Sequence, residues 1–319
     1  MNAGFTLIEL SIVLVITGLI IGGILVGQDL IKAAAVRAQI SQIEKYQTAV
    51  NTFRGKYGYL PGDITDPTAT NYGFTPRGPS WAPGEGDGNG VIECNWNFAP
   101  GANYGLCQGD GEAAMFWQDL TYAGGQNINF IDGSFNINPS TTMTQLPASS
   151  ITGTTINQYF PQAKIGGGNF IYVYSAAYLN AGFTWVSSNI NYFGLSAITK
   201  VDVASFGYLD SQPGLTVQQA YAIDSKIDDG FPMTGRVTAQ YVNSNAVTGA
   251  PAWAAASNLD GANSSPGSGP MASLPGPTTT ATAYLSTNCY DNNGVVGPQK
   301  YSMSQNANSL NCALSFRFQ

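Results

Sequence analysis

The sequence predicts an α+β protein: a long N-terminal helix, apolar over its first half, followed by a head built on an antiparallel β-sheet with long loops. Three observations carry this expectation. An unbroken apolar run extends from Phe5 to Val26, an apolar stripe at helical spacing continues to about residue 57, and short apolar runs beyond it are broken by Gly, Asn and Pro.

Residues 5–26 read FTLIELSIVLVITGLIIGGILV, about the ~20 apolar residues that a bilayer-spanning helix requires. A secretory signal would show a basic stretch, a shorter apolar core and a small-x-small cleavage site after it, and none of these is present. A plain membrane anchor explains the run but not Glu9, an ionisable side chain whose burial in lipid costs at least ~2.5 kcal/mol without a partner. Beyond the run, Val36, Ile40, Ile43, Val50 and Phe53 recur at three- and four-residue steps or their sums, with Arg37, Glu44 and Lys45 on other faces. The stripe suits either the chain's own sheet or a neighbouring copy. Gly55, Gly58 and Pro61-Gly62 end the helix near residue 57.

In the head, Gly111 to Leu120 reads as a short amphipathic helix with Met115, Phe116 and Leu120 inward. Residues 126–220 hold strand-forming runs such as Phe170–Tyr174 and Phe183–Val186, so an antiparallel sheet is expected there. From Asn243 to Thr282 the chain is rich in Ala, Ser, Pro, Gly and Thr, which predicts a long surface loop or partly disordered insertion. Asn311 to Phe318 alternates apolar and polar residues and is expected to be a strand tied back to Cys289.

Composition narrows the function. Charged residues make up 10% of the 319 against about 25% in an ordinary globular protein, so Asn, Gln, Ser and Thr carry the polarity, as suits an extracellular β-rich surface. A formal net charge of −7 without a basic stripe argues against a nucleic-acid partner. The count of His is 0, which removes the usual general base and zinc ligand and argues against an enzyme. Four cysteines allow three connectivities. Local spacing favours the disulfides Cys94–Cys107 and Cys289–Cys312, each closing a loop worth ~3 kcal/mol, over four buried thiols.

Two acidic groups invite a metal reading. Glu85, Asp87 and Asn89 place oxygens at alternate positions with a glycine after the third, as the first half of an EF-type loop does. Trp96 stands where the bidentate glutamate belongs, so the group is either an irregular calcium site or a simple turn. Asp224, Asp228 and Asp229 read as a solvated helix end. Trp81, Trp96, Trp117, Trp185 and Trp253 suit either a sugar-binding surface or core packing.

The string Gly4-Phe5-Thr6-Leu7-Ile8-Glu9-Leu10-Ser11 resembles the signal of type IV prepilins and type II secretion pseudopilins. Lys56 to Asp63 and Ala222 to Val237 are similar to segments of the same group. The resemblance implies a pilin fold, cleavage by a prepilin peptidase between Gly4 and Phe5, N-methylation of the Phe5 amine, and a Glu9 that neutralises the amine of a neighbouring subunit. It divides the chain into a leader (1–4), an N-terminal helix (5–57, with 5–28 as the membrane and filament-core part) and a globular head (58–319). Val26 stands where many major pilins carry a helix-kinking proline, which favours a pseudopilin or minor pilin. The function implied is a structural subunit polymerised through its helix, with no required cofactor and calcium as the one candidate. Its partners would be further copies, other pilin or pseudopilin subunits, the peptidase and the inner-membrane assembly platform. The head would lie in the periplasm before assembly, and the filament would be periplasmic or extracellular. The alternative is an adhesive minor pilin whose head binds a surface glycan or protein.

Overall fold

The computed structural model describes residues 7–77, 86–93, 108–109, 111–123, 126–135, 150–175, 190–202, 208–243, 251–254, 286, 288–291 and 298–319. The helices are α1 (Leu7–Tyr57), α2 (Thr68–Asn71), α3 (Gly111–Asp119), α4 (Val217–Ile227) and α5 (Met303–Asn306), with a 3-10 turn at Gly153–Gln158. The strands are β1 (Tyr122–Ala123), β2 (Gln126–Asn127), β3 (Ile151–Thr152), β4 (Asn169–Ser175), β5 (Asn191–Asp202), β6 (Tyr208–Gln212), β7 (Val237–Thr238), β8 (Gln240–Val242), β9 (Pro251–Trp253), β10 (Tyr290–Asp291), β11 (Lys300–Tyr301) and β12 (Leu314–Arg317). Every strand pairing among the described residues is antiparallel, so the protein is α+β, with a long apolar helix followed by a sheet-built head.

Helix α1 contains no proline and runs unbroken for 51 residues, about 77 Å at the α-helical rise. No side chain from Leu7 to Ala34 is buried. An 18-residue window there has mean hydropathy 2.6, long and apolar enough to cross a membrane. The second half is the opposite: Val36, Ile43, Tyr46, Ala49, Val50 and Phe53 are buried against the head and Ile40 is half-buried. Two buried glutamines interrupt this stripe. Gln42 Nε2 donates to the Gln162 carbonyl and the Tyr46 hydroxyl, both at 2.9 Å, while its Oε1 accepts from Lys164 N–H at 2.9 Å. Gln39 Oε1 accepts from Ile165 N–H at 3.1 Å. Peptide groups of the 162–165 turn that would otherwise lie unpaired against the helix are thereby satisfied.

Strand β5 is the axis of the main sheet. Its first half lies between β4 and β12, its second half between β3 and β6, and β7 pairs with the far edge of β12. Both faces are buried. On one, Phe193 meets Tyr46 of α1 at 6.2 Å, Trp117 of α3 at 6.1 Å and Phe318 at 4.3 Å between ring centroids. On the other, the Tyr172 ring lies over Gly194, and its hydroxyl accepts from Val242 N–H of β8 at 2.9 Å. Tyr174 donates to Ser315 Oγ at 2.6 Å, which donates to the Gln240 carbonyl at 2.8 Å.

Several expectations change. Helix α3 is not amphipathic: all its residues are buried, because loops on its polar side supply partners for Glu112 and Asp119. Trp117 fills the core and offers no sugar-binding face; Trp81, Trp96, Trp185 and the Trp253 side chain lie outside the described residues, as does the run Phe183–Val186. Within the expected loop 243–282, Pro251–Trp253 is a strand paired with β8, and residues 255–282 lie outside the described set. The closing strand is buried from Leu314 to Phe316, not alternately, because both faces of the sheet are covered there: Ser315 bonds Tyr174 and Gln240 on one, and Phe316 shares with its partner Phe193 the face packed by α1 and α3. Cys289 and Cys312 are joined as expected, whereas Cys94 and Cys107 lie outside the described residues.

A Cβ at Gly194 would stand 2.2 Å from two Tyr172 ring atoms, and that ring is fully buried with its hydroxyl bonded. Gly194→Ala should therefore destabilise the head by roughly 1–3 kcal/mol. Denaturant unfolding of the detergent-solubilised chain checks this; a midpoint equal to wild type would show that the ring has room to move.

Candidate functional site

The apolar half of α1 carries one ionisable side chain between Phe5 and Gln28, Glu9. It lies in the first turn of the described helix, on the bare half. The hydroxyls in the same stretch bond back to their own helix, Ser11 to the Ile8 carbonyl at 2.8 Å and Thr17 to the Val13 carbonyl at 2.8 Å. These residues therefore put little free polarity on the surface. Glu9 differs from them in carrying an ionisable group, and anchoring in lipid alone gives no reason for a carboxylate at this position. Gly4 and Phe5 lie outside the described residues.

The second site is a nest of carboxylates in the head. The turn after α1 carries Asp63, the first turn of α3 carries Glu112, and the segment Gly86–Glu93 wraps between them. Gly86 and Asp87 N–H donate to Glu112 Oε1 at 2.9 and 3.4 Å, and Glu93 N–H to Oε2 at 3.0 Å. Gly88 and Gly90 N–H donate to the two oxygens of Asp63 at 2.6 and 2.8 Å. Glycine is required here. Gly86 has φ 81°, and a Cβ on it would stand 2.2 Å from the Ile64 carbonyl oxygen; Gly62 has φ 86°, with the Glu112 carbonyl oxygen at 2.3 Å. The segment is anchored to the sheet through Asn191, whose Oδ1 accepts from Ile92 N–H at 2.8 Å and whose Nδ2 donates to the Gly90 carbonyl at 2.9 Å.

Asp63, Asp87 and Glu112 each bring a carboxylate oxygen within 4.8 Å of the others. Asp63 and Glu112 are 1% exposed and Glu93 2%. Burial pushes Asp63 up to about 7, against hydrogen bonds from Gly90 and Gly88 that lower it. Burial, then Asp87, pushes Glu93 up to about 7, and burial followed by Asp63 and Glu93 pushes Glu112 well above the usual carboxylate range. Among the described residues no Lys or Arg pairs with these four acids, since the nearby Arg77 is committed to Asp119 at 2.5 Å. Of the residues expected to bind calcium, Asp87 joins this nest, Glu85 lies outside the described residues, and Asn89 turns its amide to Asp87 and Glu93 at 3.0 and 3.2 Å. Asp63 and Glu112 were not legible as partners, because each is an isolated acid in the sequence.

Of the group Asp224, Asp228 and Asp229, expected to be a solvated helix end, Asp229 is exposed and Asp228 half-buried, but Asp224 is not solvated. A capping box formed by Thr216 and Gln219 starts α4 and places Asp224 fully buried on its last turn. There Asp224 accepts from Tyr301 Oη at 2.8 Å and Gly230 N–H at 3.2 Å. Asp228 accepts from Arg236 and Val237 N–H, and Asp229 from Phe231 N–H and Thr234 Oγ1. The three acids tie down the 228–237 turn through its amides.

Residues 1–25 match the family of the prokaryotic N-terminal methylation motif, the cleavage signal of type IV prepilins and pseudopilins. The motif supports a pilin-like substrate of prepilin peptidase, and the helix that follows it is long and apolar enough to anchor the chain in a membrane. No curated protein and no solved structure matches the chain.

Burial pushes the Asp224 carboxyl up to about 7, with Tyr301 and Gly230 opposing and Asp229 and Asp228 adding to it. The folded state thus holds a proton that the unfolded chain, with an aspartate pKa of about 3.9, releases earlier. Stability should fall as pH rises from roughly 4 toward about 7, by at most ~1.4 kcal/mol per pH unit for this one group. Asp224→Asn should flatten that slope, as read from denaturant midpoints across the range; parallel wild-type and variant profiles would exclude the linkage.

Proposed function

We propose that this chain is a structural subunit of a type IV pilus or type II secretion pseudopilus. Prepilin peptidase cuts it between Gly4 and Phe5, the Phe5 amine is methylated, and copies polymerise through α1. The reading rests on one conjunction: a methylation motif over residues 1–25 leads into a helix whose apolar half no part of the described head covers. Such a surface is stable in lipid or against other apolar helices, and exchanging one for the other costs little. Glu9 then has a task. It lies four residues, about one turn, beyond Phe5, so the carboxylate of one copy and the amine of the next neutralise each other in a low-dielectric bundle. Residues 1–4 are the leader, 5–57 the anchor and filament helix, and 58–319 the head, held in the periplasm until assembly by the inner-membrane platform with copies of itself or other pilin-like subunits.

Mass spectrometry of sheared or membrane fractions should give a chain starting at methylated Phe5. Glu9→Ala and Glu9→Gln should leave cleavage, insertion and head folding intact while lowering filament yield about tenfold or more, the effect of losing a buried charge partner. An intact Met1 in assembled material, or full incorporation of both variants in a strain lacking the wild type, would end this reading.

We also infer that the carboxylate nest takes calcium, through Asp63, Asp87 and Glu112 with Glu93 beside them. Hard oxygen donors on a preformed, glycine-shaped segment suit this ion, and a divalent cation offsets buried negative charge that no described lysine or arginine meets. Calcium at about 100 times its dissociation constant should raise head stability by ~2.7 kcal/mol. Melting the full chain in detergent with millimolar calcium or chelator reads the shift, and Glu112→Gln should abolish it. An identical transition in both conditions would leave the nest as a turn and nothing more.

A further inference from the structure

Charge is divided unevenly along this chain. Of the 12 basic and 19 acidic residues, α1 carries five basic (Lys32, Arg37, Lys45, Arg54, Lys56) and three acidic (Glu9, Asp29, Glu44), a formal +2. Residues 58–319 keep seven basic and 16 acidic, a formal −9 within the total of −7. Two copies with this division repel head to head and attract helix to head.

Near the point where α1 leaves the head, a cavity of about 580 Å³ opens between them. Buried Tyr46, Phe135 and Phe160 line it, with Lys45, Lys164 and Asp132 also contributing. Lys45 is paired with Asp132, whose carboxyl that hydrogen bond holds below its usual range. Lys164 is exposed, and its ammonium makes no ion pair among the described residues. The lining is held in shape by Gln42, which bonds the Gln162 carbonyl and Lys164 N–H across the seam. The cavity is therefore a preformed, net positive recess on an otherwise acidic head. It is also out of reach of lipid: Gln42 lies 11 residues past Ile31, the last exposed large apolar side chain of α1, about 16 Å along the helix and beyond a Debye length of ~8 Å.

We propose that this seam receives an acidic edge of the head of a second copy, with Lys164 as the first contact and Lys45 as the second. The inference rests on the filament reading and adds the contact that seats one head on the next helix. Carbodiimide, which couples lysine to a carboxylate only in direct contact, tests it on assembled full-length protein. The wild type should give covalent dimers. Lys164→Arg keeps the charge but cannot be coupled, so it should form filaments normally while dimer yield falls; Lys164→Glu should lower filament yield about fivefold, as reversal of a contact charge does. Filaments whose dimer yield is the same for wild type and Lys164→Arg, or that give no dimers at all, would overturn the seam contact and leave the polymer intact. If even wild-type protein forms neither filaments nor dimers, the filament reading falls, and the seam with it.

Discussion

Helix α1 has to satisfy two environments with one unbroken run of backbone, and most of the structure follows from how it does so. Apart from Glu9, its first half, to Gly27, offers only apolar side chains and hydroxyls bonded back to their own helix. Its second half is sealed under the head by Tyr46, Val50 and Phe53. Helical hydrogen bonds carry the backbone across both. The head must therefore stop short of the membrane half while holding the other half rigidly, and Gln39 and Gln42 mark the boundary by bonding peptide groups of the 162–165 turn. A leucine at either position would give apolar contact and leave those amides unmet.

The head uses buried acids as organisers of backbone. Asp63, Glu112 and Asp119 draw in the amides of Gly62, Gly86, Gly88, Gly90 and Glu93, and Asp224, Asp228 and Asp229 do the same for the turn after α4. In a protein with so few charges, each acid replaces a stretch of regular hydrogen bonding that a short, glycine-rich segment cannot make for itself. Both groups bring carboxylate oxygens within 4.8 Å of one another; the first stands apart because it buries Asp63, Glu93 and Glu112 together, whereas in the second Asp228 is half-buried and Asp229 exposed.

Legibility in the sequence tracked the range of the interaction. The stripe Val36, Ile43, Val50 and Phe53 was readable because helical periodicity is local, and Cys289–Cys312 because the partners lie 23 residues apart. The motif at the N-terminus was readable because its residues are contiguous. Gln39 and Gln42 were not, since a glutamine on a helix is ordinarily solvated and only a turn more than 120 residues away makes it a clamp. Helix α3 misled for the same reason: Glu112 and Asp119 looked like a wet face until the distant segments that bond them were known. Alternation in β12 told which residues share a face but not that β5 and β7 flank the strand.

The placement of β12 bears on how copies stay separate. Before it arrives, β5 presents an unpaired edge that any chain with the same sequence can fill, and anchors confined to one membrane bring such chains close together. Strand exchange between neighbours would then compete with closure of each head. Cys312, two residues ahead of Leu314, is bonded to the fully buried Cys289 and also bridges Leu215 through paired backbone hydrogen bonds of 2.9 and 3.0 Å. Once formed, that link keeps the strand on a short tether inside its own subunit, so the disulfide governs which molecule the strand joins as well as how firmly it is held.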